Sequence, residues 1–171
     1  MDLVPIRAAI PALANSIYLN TGTFGPMPTV VADEIRRVYG EVERQGTFSP
    51  GIFWQMELQG FEAVRQQVAG LLHADPAEIA LTRNVTDGIN IVLHGLEWQP
   101  GDQVILTDQE HPSGTVPWLA LAQRAGVELR WLELVDDADE IVARFQRLLT
   151  PQTRLAQLSH VSCLTGLRLP I

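Results

Sequence analysis

The chain contains no lysine; all 12 of its cationic side chains are arginines. Any chemistry that needs a side-chain amine to form a Schiff base is therefore excluded from this chain. Cysteine is nearly as scarce. The single residue Cys163 excludes an internal disulfide framework and fits a reducing, cytoplasmic setting. Basic charge is also short. Twenty acidic residues against 12 basic ones give a net charge of -8, and the arginines are scattered, which argues against a nucleic-acid partner. The start, Met1 to Pro5, lacks a basic region followed by an apolar run, so no signal peptide is read there. No apolar stretch approaches the length needed to span a bilayer, which argues against a membrane partner. No G-x-G-x-x-G follows the first strand and no P-loop occurs, which weakens a nucleotide-binding reading.

What is present is an ordinary soluble globular mixture, 46% hydrophobic and 19% charged. Residues 17–28 read as a short extended piece followed by a Gly/Pro-rich loop. A helix starts near Thr29, because Val31, Ile35, Val38 and Val42 recur on one face. A second helix is predicted from Phe53 to Leu72, with Phe61, Val64, Val68 and Leu71 at helical spacing and a break at His73-Ala74-Asp75-Pro76. The pattern then alternates. Strands are predicted at Glu78 to Thr82, Gln103 to Thr107, Val127 to Leu134 and Arg154 to Val161. Helices are predicted at Thr86 to Leu96 (with Ile89, Val92 and Leu93 on one side), Pro112 to Ala125 with Gly126 as its stop, and Asp137 to Leu149. Such alternation implies an α/β fold, a mostly parallel sheet flanked by helices. The chain ends at Leu169-Pro170-Ile171 directly after a strand, and the domain is expected to be incomplete at the C-terminus.

Three segments fall at the carboxyl ends of predicted strands, where open α/β sheets bind ligands. In Thr82-Arg83-Asn84-Val85-Thr86-Asp87-Gly88-Ile89-Asn90, Asn84 is a good N-cap and Asp87, three positions on, makes a variant of the capping box. The free N–H groups at that helix start and the Thr86 hydroxyl either hold a phosphate or only cap the helix. In Asp108-Gln109-Glu110-His111-Pro112-Ser113-Gly114, the His111 imidazole either stacks on a flat ligand and moves protons or is a surface loop residue. In Ser159-His160-Val161-Ser162-Cys163-Leu164-Thr165-Gly166, His160 reads as a packed strand residue, and Ser162 or Cys163 reaches a ligand. Nothing supplies Cys163 with the base or lowered pKa of a nucleophile.

With the Tyr18-Leu19-Asn20 start and its following glycines, these segments in this order resemble the class V aminotransferase family, a branch of the fold-type I enzymes that use pyridoxal 5′-phosphate (PLP). The resemblance runs from Tyr18 to Pro170. It implies a PLP-dependent transferase-like large domain, here one incomplete domain over 1–171, made of an N-terminal segment (1–28), helices (29–75) and the alternating sheet region (76–171). It implies that Val85 and Thr86 hold the cofactor phosphate, that His111 stacks on the pyridine ring and assists proton transfer, and that Asn20, Thr21 and Gly22 line the substrate side. Cys163 falls where desulfurases carry an asparagine near the cofactor's 3′-oxygen. A thiol there departs from the desulfurase pattern and leans towards epimerase-like or uncharacterised members. The family's ring-nitrogen aspartate and anchoring lysine have no counterparts before Ile171. The implied activity is cysteine desulfurase or selenocysteine lyase-like, acting on a small-molecule amino acid substrate in a cytoplasmic homodimer. Isopenicillin N epimerase-like or aminotransferase chemistry is the alternative, and a non-catalytic binding or dimerisation module a further one. The chain alone is expected to be inactive.

Overall fold

The computed structural model describes residues 2–22, 24–46, 48–52, Trp54 and 59–171. They divide into two compact units, Met1–Leu81 and Thr82–Ile171.

The first unit is helical. A short α1 (Val4–Ala8) and a 3-10 turn (Pro11–Ala14) precede α2 (Thr29–Gln45), a single turn α3 (Pro50–Ile52) and α4 (Phe61–Leu72). The predicted start at Thr29 is exact, and Pro28 in an extended conformation (φ -65°, ψ 147°) explains it by turning the chain into the helix. Of the predicted apolar face of α2, Val38 and Val42 are half-buried while Val31 and Ile35 are exposed. The helix predicted from Phe53 is α-helical from Phe61 onward, and Trp54, Gln59 and Gly60 before it are in π-helical conformation; Phe53 and residues 55–58 lie outside the described residues. Helix α4 ends at His73, whose φ of 55° is left-handed. Asp75 and Glu78 then form a reciprocal capping box on a turn at Pro76–Glu78, with the Asp75 carboxylate accepting from Ala77 and the Glu78 carboxylate accepting from the Asp75 amide. Glu78 to Thr82 is not a strand. It pairs with none of the three described strands, and an extended segment without a neighbour has no ladder to join.

The second unit holds the sheet. Its order is α5 (Val85–Gly95), β1 (Gln103–Thr107), α6 (Pro112–Ala125), β2 (Glu128–Leu132), α7 (Ala138–Leu148) and β3 (Thr153–Gln157). Strand β1 and helix α6 match the predicted limits to the residue, and Gly126 closes α6 at φ 69° as expected. The other two predicted strands are shorter than expected, β2 ending at Leu132 and β3 at Gln157.

The sheet is parallel in the order β2-β1-β3. The chain therefore steps from β1 to one side and then crosses back to the other. Crossovers between parallel strands are right-handed, so reversing direction puts the two connecting helices on opposite faces. The packing shows this. Val104 and Leu106 of β1 join Leu93 of α5 and Trp118 and Leu121 of α6 in one core. Ile105, one residue out of phase, joins Leu132, Leu134, Ile141 of α7 and Leu169 in the other. Each such buried aliphatic side chain contributes about 1.5–3 kcal/mol. On α5, Leu93 is buried and Ile89 is packed against the first core, but Val92 is exposed.

Candidate functional site

The strand order reverses between β1 and β3, the place where open α/β sheets receive ligands beyond the carboxyl ends of their strands. The loops bordering it are 108–111 after β1 and 158–166 after β3, which carry His111 and Cys163.

Helix α5 begins on the same side of the sheet as α6, against which it packs. Its N-cap is Asn84, as expected, with Oδ1 accepting from the Asp87 amide at 2.9 Å. The Gly88 amide reaches the Asn84 carbonyl at 3.4 Å. The helix supplies no acceptor for the amides of Val85 and Thr86, its first two residues. Thr86 is half-buried and Val85 exposed. The predicted capping-box variant is not reciprocal. The Asp87 carboxylate turns outward to the Arg83 guanidinium (2.8 and 3.2 Å) and is held by it below the usual carboxylate range.

His111 is neither a plain loop residue nor an unattached ring. It is the N-cap of α6, its Nδ1 accepting from the Ser113 amide at 3.1 Å and meeting the Ser113 hydroxyl at 2.7 Å. With Nδ1 engaged as an acceptor, the proton of the neutral ring sits on Nε2. The ring is exposed and its Nε2 edge is directed away from the cap.

Cys163 is a free, exposed thiol. The turn that carries it is organised by its neighbour. The Ser162 hydroxyl donates to Gln109 Oε1 (2.7 Å) and accepts from the amides of Leu164 and Thr165 (both 3.2 Å). Ser162 is 3% exposed with its hydroxyl fully engaged, so it is a structural residue rather than a ligand contact. His160 is exposed and lies beyond β3, not packed within a strand.

Sequence reasoning missed the three residues before His111. Asp108 Oδ1 accepts from the Leu134 amide after β2 (3.1 Å). Gln109 Oε1 accepts from Ser162 and from Thr165 Oγ1 (2.7 Å each). The Glu110 carboxylate accepts from Thr107 Oγ1 (2.8 Å), the Ser159 amide (2.9 Å) and the Ser159 hydroxyl (2.7 Å). Three consecutive side chains thus fasten the loop after β1 to those after both neighbouring strands. The only available signal was their position at a strand end.

Asn20, Thr21 and Gly22 belong to the first unit. They are exposed in a turn closed by the Phe24 amide on the Asn20 carbonyl (3.3 Å) and by the Tyr18 hydroxyl, which donates to the Phe24 carbonyl. Thr23 lies outside the described residues.

The family model for aminotransferase class-V matches residues 17–171. The chain belongs to the class V aminotransferase family. It is 34% identical to a cysteine desulfurase of Pectobacterium carotovorum subsp. carotovorum (strain PC1), covering 97% of this chain and 43% of that one. It is 32% identical to a probable cysteine desulfurase of Pseudomonas aeruginosa PAO1, covering 98% and 44%. Among solved structures, a mutant of C-DES with glycine covalently linked to its PLP cofactor superposes with a TM-score of 0.83 at 38% identity, covering 96% of this chain and 43% of that one. The cysteine desulfurase CsdA from Escherichia coli superposes with a TM-score of 0.79 at 30% identity, covering 99% and 44%. The chain thus spans less than half the length of the relatives it matches. Its parallel sheet flanked by helices has the fold of these class V enzymes, as the sequence implied.

Proposed function

We propose that this class V aminotransferase chain forms the phosphate- and ring-holding half of a PLP site, in an enzyme that breaks a bond in a cysteine-like amino acid. The observation that carries the reading is the donor set at the start of α5. The amides of Val85 and Thr86 have no intrahelical acceptor, and the Thr86 hydroxyl lies beside them at a helix N-terminus. These groups fit a phosphate. The His111 ring, fixed at its Nδ1 edge by Ser113, fits a stacking partner for a flat heteroaromatic ring, with Nε2 left to exchange a proton. Asn20, Thr21 and Gly22 belong to the proposal as the substrate-side loop. PLP, when bound, supplies the electron sink that lets a bond at Cα or Cβ of an amino acid break. This chain's own part is to hold and orient, because it has no side-chain amine to anchor the cofactor covalently.

The names of the relatives support cysteine desulfurase or C–S lyase chemistry. Cys163 favours epimerase-like chemistry as the second reading, since a thiol replaces the asparagine expected of a desulfurase. Exposed Ile91 on α5 and Val116 and Leu119 on α6 support a homodimer. Among the described residues no helix is long and apolar enough to cross a membrane, and the lone thiol supports the cytoplasm as its setting.

The test is a titration of the 171-residue chain with pyridoxal phosphate. The expected result is saturable binding that dialysis reverses, with no side-chain adduct after borohydride. Failure to bind, or a side chain of this protein fixed to the cofactor by borohydride, would overturn it. Sedimentation as a strict monomer at high concentration would remove the dimer.

A further inference from the structure

The rim has an internal frame, and the frame explains why a half-site can keep its shape on this chain. Gln109 and Glu110 reach from the β1 loop to the β3 loop. Every contact spans between 49 and 56 residues of sequence except the local one to Thr107. Glu110 Oε1 accepts twice and Oε2 once, while Gln109 Oε1 accepts from two hydroxyls. The Ser162 hydroxyl, holding Gln109 on one side, gathers the amides of Leu164 and Thr165 on the other, which folds the turn that carries Cys163. His111 follows Glu110 directly, so its backbone is fixed by the same contacts.

We propose that Gln109 and Glu110 are positioning residues of the rim: they lock the Cys163 turn to the loop that presents His111, and so set how the ligand's ring is received. Neither residue needs to touch the ligand. Their meaning for the ligand rests on the PLP reading above, but the lock itself does not. Glu110→Ala removes both carboxylate oxygens and with them all three hydrogen bonds. Glu110→Gln restores them, because its Oε1 serves the Thr107 and Ser159 donors and its Nε2 donates to a Ser159 hydroxyl turned from donor to acceptor.

The Ser159 amide, held by Glu110, and the Leu164 and Thr165 amides, held by the Ser162 hydroxyl, report the lock directly. Their hydrogen-exchange rates are measured on the wild-type chain, Gln109→Ala, Glu110→Ala and Glu110→Gln, with circular dichroism to confirm the fold. Loss of a hydrogen bond's worth of order is expected to raise the rate about fivefold in Gln109→Ala and Glu110→Ala. Glu110→Gln is expected to keep the wild-type rate. Equal rates in all four folded proteins would overturn the lock. If Glu110→Ala fails to fold, Gln109→Ala decides on the same criterion. Pyridoxal phosphate and inorganic phosphate are then titrated separately. Glu110→Ala is expected to weaken pyridoxal phosphate about fivefold and leave inorganic phosphate unchanged, because α5 alone holds the anion. Unchanged pyridoxal phosphate affinity would overturn the positioning role even with accelerated amide exchange. A wild-type chain that binds no pyridoxal phosphate would remove the cofactor reading, while the exchange rates would still decide the lock.

Discussion

The indole N–H of Trp118 donates to Gln157 Oε1 at 2.6 Å, tying the buried face of α6 to the last residue of β3. Trp118 is 1% exposed, so its N–H has no route to water. Gln157→Leu is expected to cost about 1–3 kcal/mol, the penalty of a buried donor left unpaired. Urea unfolding with an unchanged slope would show it; a midpoint equal to wild type would refute it.

The other end of the same amide donates to the Gly114 carbonyl at 3.2 Å, and a Cβ built on Gly114 would stand 2.8 Å from Gln157 Nε2. Gly114→Ala should therefore act by pushing Gln157 off Trp118. In a Gln157→Ala background the glycine change should cost little or nothing more, so the double-mutant cycle is strongly non-additive. Simple additivity would show that the two residues do not share one interaction.

His111 has two roles that can be separated. His111→Ala removes the N-cap of α6 and should cost about 0.5–2 kcal/mol in stability. Asparagine is among the best caps, so His111→Asn should keep most of the stability while losing ring contact with pyridoxal phosphate. Thermal melts beside ligand titrations separate the roles. If the asparagine variant binds pyridoxal phosphate as well as wild type, the stacking role is lost.

Asn84→Ala is expected to destabilise by about 1 kcal/mol through the lost cap. It should also weaken inorganic phosphate, because fraying the first turn scatters the Val85 and Thr86 amides. The pair of effects should appear together in calorimetric melts with and without phosphate. A destabilised variant that retains full phosphate protection would place the anion elsewhere.

Glu140 governs part of the acid response. Its hydrogen bonds from Arg144, and then Arg147, hold its carboxyl below the ordinary glutamate value. A lowered folded-state pKa means that the unfolded chain takes up the proton first as pH falls. The contribution is therefore complete above the ordinary glutamate range and is lost as pH drops through the lowered value. Glu140→Gln should flatten that part of the acid limb and leave neutral-pH stability little changed, because the ion pairs are exposed. An acid limb identical to wild type would contradict this assignment.

Local signals carried the fold where the physics is local. The five apolar-rich residues of β1, the Pro112 start and Gly126 stop of α6, and the Asn84 cap all write their structure within a few positions. Glu78 to Thr82 reads as a strand by the same rules, but a strand also needs a partner, and pairing is not a local property. The site divides the same way. Thr86 and His111 stand out because their residue types suit an anion and a ring. Gln109 and Glu110 did not, because the work of an acceptor is defined by donors some 50 residues away. Ser162 was misjudged for the same reason: its hydroxyl looked available until its partners were in place.

The order of the strands sets an order of breathing. β1 alone has a neighbour on each side and a core on each face, and all five of its residues are buried. Its amides should exchange with deuterium most slowly in this unit, and those of the flanking β2 and β3 sooner. The loop ending in His111 hangs from that slowest strand, whereas the Cys163 turn follows a flanking one. Spontaneous opening should therefore release the thiol side of the rim first, so the imidazole side acts as the fixed jaw and the thiol side as the moving one.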